Sequence, residues 1–115
     1  DCLHGKALTT LEDTVHHITQ VPADLFGLRD RGVLREGWYA DVVIFNPETI
    51  NTDDIVLLKD LPGGAGRLYA DPIGMHRVFV NGVPTVIDDA PTDALPGTVL
   101  RSGKDTYTVP IPANT

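Results

Sequence analysis

The chain has 115 residues, enough for one domain and too few for a barrel enzyme of about 250 residues. Hydrophobic content of 42% and charged content of 22% allow a small core and argue against global disorder. Nine basic against sixteen acidic residues give a formal charge of -7, which argues against a nucleic-acid surface.

The chain opens at Asp1 without a methionine, and a helical pattern begins almost at once. Together these read as a fragment cut from a longer protein, with N-terminal processing as the alternative. Cys2 is the only cysteine, so neither an internal disulfide nor a thiolate metal site can form, and a reducing cytoplasm is the simplest fit. No apolar run approaches the roughly 20 residues of a membrane span, and no basic-then-apolar leader opens the chain. No membrane partner is expected.

Leu8, Leu11, Val15 and Ile18 recur at spacings of three and four, which predicts a helix starting at Thr10 or Leu11. Thr9 with Glu12, or Thr10 with Asp13, can cap its first turn. Val21-Pro22 should end it, with Pro22 as first residue of a second short helix through Phe26 and Gly27 as its C-cap. The connector from Arg29 to Gly37 is polar; Arg29, Arg31 and Arg35 form the one basic cluster, interrupted by Asp30 and Glu36. Val33-Leu34 reads as a brief strand. Val42 to Phe45 is a continuous apolar run after Asp41, which predicts a strand covered on both faces.

Thr49 to Arg67 is irregular, and Ile55 to Leu58 fits either a strand or one helical turn. Leu61 to Gly66 is a glycine-rich loop. Arg77 to Val80, Asn81-Gly82, then Val83 to Ile87 predict a hairpin with a type I′ turn, and Pro84 must face outward or sit at a bulge. Asp88 to Ala90 is polar, Val99-Leu100 reads as a last short strand, and the tail with Pro110 and Pro112 is extended. The expected organisation is a helical segment over 1–31, a small β portion over 32–103 and a tail over 104–115. The fold class is an α+β fragment, a helix pair followed by a small, mostly antiparallel β domain.

Candidate chemistry is sparse. His16 and His17 point about 100° apart on a helix, so they cannot share an ion, and they read as solvent-facing. His4 and His76 lack neighbours at ligand spacing and read as structural. Asp41 has two readings: a metal ligand or base at a strand end, or a carboxylate that accepts amides of the Gly37 turn. The second is preferred because no convergent partners are in sight. Asp53-Asp54, Asp88-Asp89 and Asp93 lack calcium-loop spacing and read as solvated loops. Gly63 to Arg67 lacks the flanking strand, Lys-Ser or Lys-Thr and helix of a phosphate loop. As a surface loop near an active site, it would leave Arg67 or Tyr69 to reach a substrate carboxylate. No residue of this chain is assigned to catalysis or to metal binding; Gly37, Ala40, Asp41, Asn81 and Gly82 are the structural signature.

Three stretches carry a family likeness: Leu11 to Leu28, Gly32 to Pro47 with its Gly37-Trp38-Tyr39-Ala40-Asp41-Val42-Val43 core, and Gly74 to Gly82 followed by Leu95 to Arg101. Together they resemble the C-terminal end of metal-dependent amidohydrolases, in particular the N-acyl-D-amino-acid deacylase (D-aminoacylase) type. The second stretch is common to many amidohydrolases; the third, with Leu61 to Ala70, favours the D-aminoacylase branch. The resemblance implies a (β/α)8 barrel with one or two divalent ions, usually zinc, that activate water to hydrolyse an amide. It also implies a small composite β-sandwich built from both ends of the chain. No His-x-His is present, so no catalytic motif carries over.

The implied partner is the barrel of the same longer chain, and the helix face would otherwise favour self-association. The rival readings are an autonomous β-rich binding module and a different amidohydrolase, dihydropyrimidinase-like or dipeptidase-like. A fragment should leave Leu8, Leu11, Val15, Ile18, Leu25 and Phe26 bare. An autonomous domain should cover them with its own sheet.

Overall fold

The computed structural model describes residues 8–109. Expectations for Cys2, His4, Pro110 and Pro112 lie outside them. Helix α1 spans Leu11–Ile18. Thr10 caps it, its hydroxyl accepting the Asp13 amide at 3.1 Å. Glu12 and Asp13 sit in the first turn and His16 and His17 in the last, the order that the helix dipole favours.

The break comes earlier than expected. Thr19 leaves helical geometry at φ -122° and ψ -80°, and α2 spans Gln20–Leu25. Pro22 is therefore its third residue, not its first. That position tolerates proline equally well, because first-turn amides have no intrahelical acceptor. Gly27, at φ 63°, ends α2. Its amide donates to the Asp24 carbonyl at 3.1 Å, and that of Leu28 to Ala23 at 2.8 Å, the paired bonds of a Schellman cap.

The strands are β1 (Val42–Phe45), β2 (Asn51–Thr52), β3 (Val56–Leu58), β4 (Arg67–Tyr69), β5 (Pro72–Ile73), β6 (Met75–Val80), β7 (Val83–Ile87) and β8 (Ala90–Pro91). One antiparallel sheet runs in the order β1-β6-β7-β8; β2 pairs with β5 and β3 with β4, both antiparallel. Ile55 to Leu58 thus resolves in favour of a strand, beginning at Val56. The β6–β7 hairpin turns on Asn81 at φ 51° and Gly82 at φ 79°, the two positive angles of a type I′ turn. The register slips beside Pro84, between Val78 and Phe79, which spares the proline a ladder bond.

Three strand expectations are corrected. Val33-Leu34 and Val99-Leu100 are not strands. Two-residue strands do form here where a neighbouring strand lies alongside, as in β2 with β5 and β8 with β7; neither Val33-Leu34 nor Val99-Leu100 has such a strand partner among the described residues. Strand β8 was not anticipated: Asp88 and Asp89 adopt φ 47° and 65° and turn the chain from β7 into Ala90–Pro91. The Asp89 carboxylate accepts the amides of Gly74 (3.1 Å) and Met75 (2.6 Å), so it is a clamp on the start of β6 and not a solvated loop acid.

The fourth correction concerns β1. It is an edge strand, and Val43 and Ile44 remain 50% and 47% exposed, not covered on both faces. Its continuous apolar pattern calls for cover that these residues do not supply. The helices have the same deficit. Among the described residues Ala23, at 5%, is the one buried hydrophobic side chain. The accessible surface is 9079 Å², whereas a folded monomer of this mass exposes about 6100 Å².

Gly74, at φ 86°, is packed against backbone: a Cβ there would lie 2.9 Å from the Ile50 nitrogen and 3.0 Å from Thr49 carbonyl carbon. Gly74→Ala is expected to cost about 2 kcal/mol from the left-handed angle and this crowding. Amide exchange at Met75 should speed accordingly; an unchanged rate would show that this approach carries no weight.

Candidate functional site

The signature residues converge on Arg31. Its guanidinium pairs with the Asp41 carboxylate and donates to Asn81 Oδ1 at 3.0 Å. Asp41 Oδ1 accepts the Asn81 amide at 2.9 Å, and Asn81 Nδ2 donates to the Pro96 carbonyl at 2.7 Å. The Gly82 amide donates to the Ala40 carbonyl at 2.9 Å. Ala40, Asp41, Asn81 and Gly82 thus form one junction between the entry to β1 and the β6–β7 turn. The amide that Asp41 accepts comes from this turn, 40 residues away, and not from the Gly37 turn. Gly37 stands apart at φ 82°, in the turn closed by the Trp38 amide on the Arg35 carbonyl.

Aromatic rings complete the junction. Arg31 lies 4.0 Å over the Tyr39 ring, Arg35 4.6 Å over Trp38 and Arg29 4.7 Å over Tyr107. A guanidinium on a ring face gains cation–π attraction while its edge stays free for hydrogen bonds. Arg31 uses both, and its side chain is only 12% exposed. An open cleft of about 310 Å³ beside the junction is lined by Arg29, Arg31, Tyr39, Arg101, Lys104 and Asp105, among others.

The tail closes this region. The Tyr107 amide donates to the Gly27 carbonyl at 2.7 Å, Arg29 donates from its amide to Asp105 and from its guanidinium to Thr106, and Leu28 bridges to Thr106. Residues 105–109 are therefore strapped to the exit of the helix pair.

Arg67 and Tyr69 lie on β4, away from this junction. Arg67 donates from Nε and one terminal nitrogen to Asp60, at 2.9 and 2.7 Å, and lies 4.9 Å from the Tyr69 ring centre. Tyr69 donates its hydroxyl to Asp71 at 2.9 Å. The bond from Arg67 holds Asp60 below the usual carboxylate range, and the bond to Asp71 holds the Tyr69 hydroxyl above its ordinary value. Because the Asp60 value is depressed on folding, its contribution is present above the ordinary carboxylate pKa and fades as pH falls through the lowered one. The β3–β4 hairpin should hold its amide spectrum down to about pH 4 and loosen only below. Loosening that begins near neutrality would contradict this pairing.

His16 and His17 are both exposed, with ring centres 5.9 Å apart. His76 Nδ1 is 3.8 Å from Asp88, which also accepts from Arg77 at 2.8 Å. Among the described residues no group of three His, Cys, Asp or Glu side chains could hold a metal ion. The family resemblance implies zinc for a barrel and not for these residues, and no chemical step is assigned to a metal in this chain. Nor is any described helix long and apolar enough to cross a membrane.

The geometry defines a hydrogen-bonded junction, and sequence comparison supplies the chain's class: it is related to deacylases of N-acyl-D-amino acids. It is 37% identical over 103 residues to an N-acyl-D-aspartate deacylase and 40% identical over 94 residues to an N-acyl-D-glutamate deacylase, both from Alcaligenes xylosoxydans xylosoxydans. A D-aminoacylase from the same organism is 36% identical over 93 residues. These matches cover 81–85% of this chain but 17–18% of the relatives. No protein-family model matches the chain, and no solved structure matches it.

Proposed function

We propose that this chain is the C-terminal, non-catalytic part of a hydrolase that cleaves the amide bond of N-acyl-D-amino acids. In this reading the reaction belongs to a barrel elsewhere in the longer chain, which holds one or two divalent ions such as zinc. The four-stranded sheet is one layer of a composite β-sandwich, and the junction fixes how the chain passes from the helix pair into that sheet. The single cysteine supports a reducing, cytoplasmic setting.

The observation that carries the proposal is the uncovered helix face. Ile18, Leu25 and Phe26 are 70%, 67% and 66% exposed, Leu8 and Val15 are also exposed, and Leu11 is half-buried. An autonomous binding module would lay its own sheet over these side chains. The relatives are several times longer than the aligned segment, which leaves ample chain to provide that cover.

In isolation, the chain should self-associate or bind an apolar dye through this face. Sedimentation of a Leu25→Lys, Phe26→Lys double variant beside the unaltered chain is the check. The unaltered chain is expected to sediment as oligomers and the variant as a monomer. A strictly monomeric unaltered chain that binds no dye would favour the autonomous module.

A further inference from the structure

We propose that Asn81 is a spontaneous deamidation site which the Arg31 junction holds shut. An asparagine followed by glycine is chemically poised for this reaction, because glycine offers no side chain to hinder attack by its own amide nitrogen. Here a Cβ on Gly82 would meet nothing nearer than the Ala40 Cβ at 3.9 Å, so the local chain offers little steric protection. In the reaction the Gly82 nitrogen bonds to Asn81 Cγ, the Cγ–Nδ2 bond breaks, and the proton lost from Gly82 leaves with Nδ2 as ammonia. Water then opens the five-membered imide at either carbonyl, giving aspartate or isoaspartate.

Every group that must move in the first step is held. The Gly82 nitrogen, the nucleophile, donates its proton to the Ala40 carbonyl at 2.9 Å. The leaving nitrogen Nδ2 donates to the Pro96 carbonyl at 2.7 Å, and Oδ1 accepts from Arg31 at 3.0 Å. The Asn81 amide is anchored on Asp41. Ring closure needs the side-chain amide to rotate towards the following nitrogen, which breaks the Arg31 and Pro96 bonds together. The lock is one-way. A carboxylate at position 81 cannot donate to Pro96, and isoaspartate adds a backbone atom to a two-residue turn whose length sets the β6–β7 register. Deamidation therefore removes the contacts that suppressed it and marks chains whose junction has opened.

The test follows the mass increase and isoaspartate content of the peptide containing residues 81 and 82 during incubation at mildly alkaline pH. The chain is compared with Arg31→Ala, with Asp41→Asn and with itself unfolded in urea; amide protection along the paired residues of β6 and β7 reports whether the hairpin is formed. Unaltered chain is expected to be slowest, unfolded chain fastest, and Arg31→Ala faster than unaltered chain by about tenfold, the weight of one charge-assisted hydrogen bond. Asp41→Asn keeps an acceptor for the Asn81 amide while loosening Arg31, and should fall between. If Arg31→Ala unfolds, its rate should equal the urea rate and Asp41→Asn decides. Equal rates in folded and unfolded chain, or variants with a formed hairpin at the unaltered rate, would overturn the proposal.

Discussion

Replacing Arg31 with alanine should open the junction between β1 and the β6–β7 turn. The substitution leaves the Asp41 carboxylate without its cation and the Asn81 Oδ1 without a donor, and it removes the stack on Tyr39. Breaking a fully buried pair by removing one partner costs about 3–5 kcal/mol. Asp41 is 33% exposed, so water recovers part of its solvation, and about 2 kcal/mol is the expected loss. Amide exchange at Asn81 and Gly82 should then speed about thirtyfold, while the α1 amides keep their rates. Arg31→Lys should recover only part, because an ammonium cannot bond both Asp41 and Asn81 in one plane. Unchanged exchange at Asn81 would mean that Asp41 holds the turn without help.

Gly27→Val should release the tail. At φ 63° a β-branched residue is strained by about 1–2 kcal/mol. The larger effect is steric: a Cβ at Gly27 would stand 2.3 Å from the Tyr107 carbonyl oxygen and 3.0 Å from Val109 Cγ2. The tail must move away, which breaks the Tyr107 bond to the Gly27 carbonyl and the Leu28–Thr106 bridge. The expected result is loss of protection at the Tyr107 amide and of the Arg29 contact with its ring. Protection should persist across β6 and β7, since the tail makes no pairing with that sheet. Preserved protection at Tyr107 would show that the strap does not depend on this approach.

What the sequence made legible was local. The three-and-four spacing of α1, the Thr10 cap, the Gly27 terminator and the Asn81-Gly82 hairpin each depend on residues within a few positions. Long-range partners were not legible. Asp41 reads as a turn former, but nothing in its neighbourhood says that its turn lies at Asn81. Arg31 reads as one of three arginines in an interrupted basic cluster, and its central place follows only from the fold. Asp88-Asp89 reads as a solvated pair, although Asp89 clamps Gly74 and Met75. The apolar run of β1 reads as buried because such runs usually are, but it is an edge strand here, with Val43 and Ile44 about half exposed; the proposed function assigns its cover to the rest of a longer chain.

The central claim is that this chain supplies structure and another part of the protein supplies chemistry. The most direct measurement compares the 115-residue chain with the product of its full reading frame. Both are dialysed, analysed for bound metal and assayed for hydrolysis of N-acyl-D-amino acids. The account predicts bound divalent metal and turnover for the longer product, and neither for the chain alone. One tightly held ion with turnover in the 115-residue chain would contradict it.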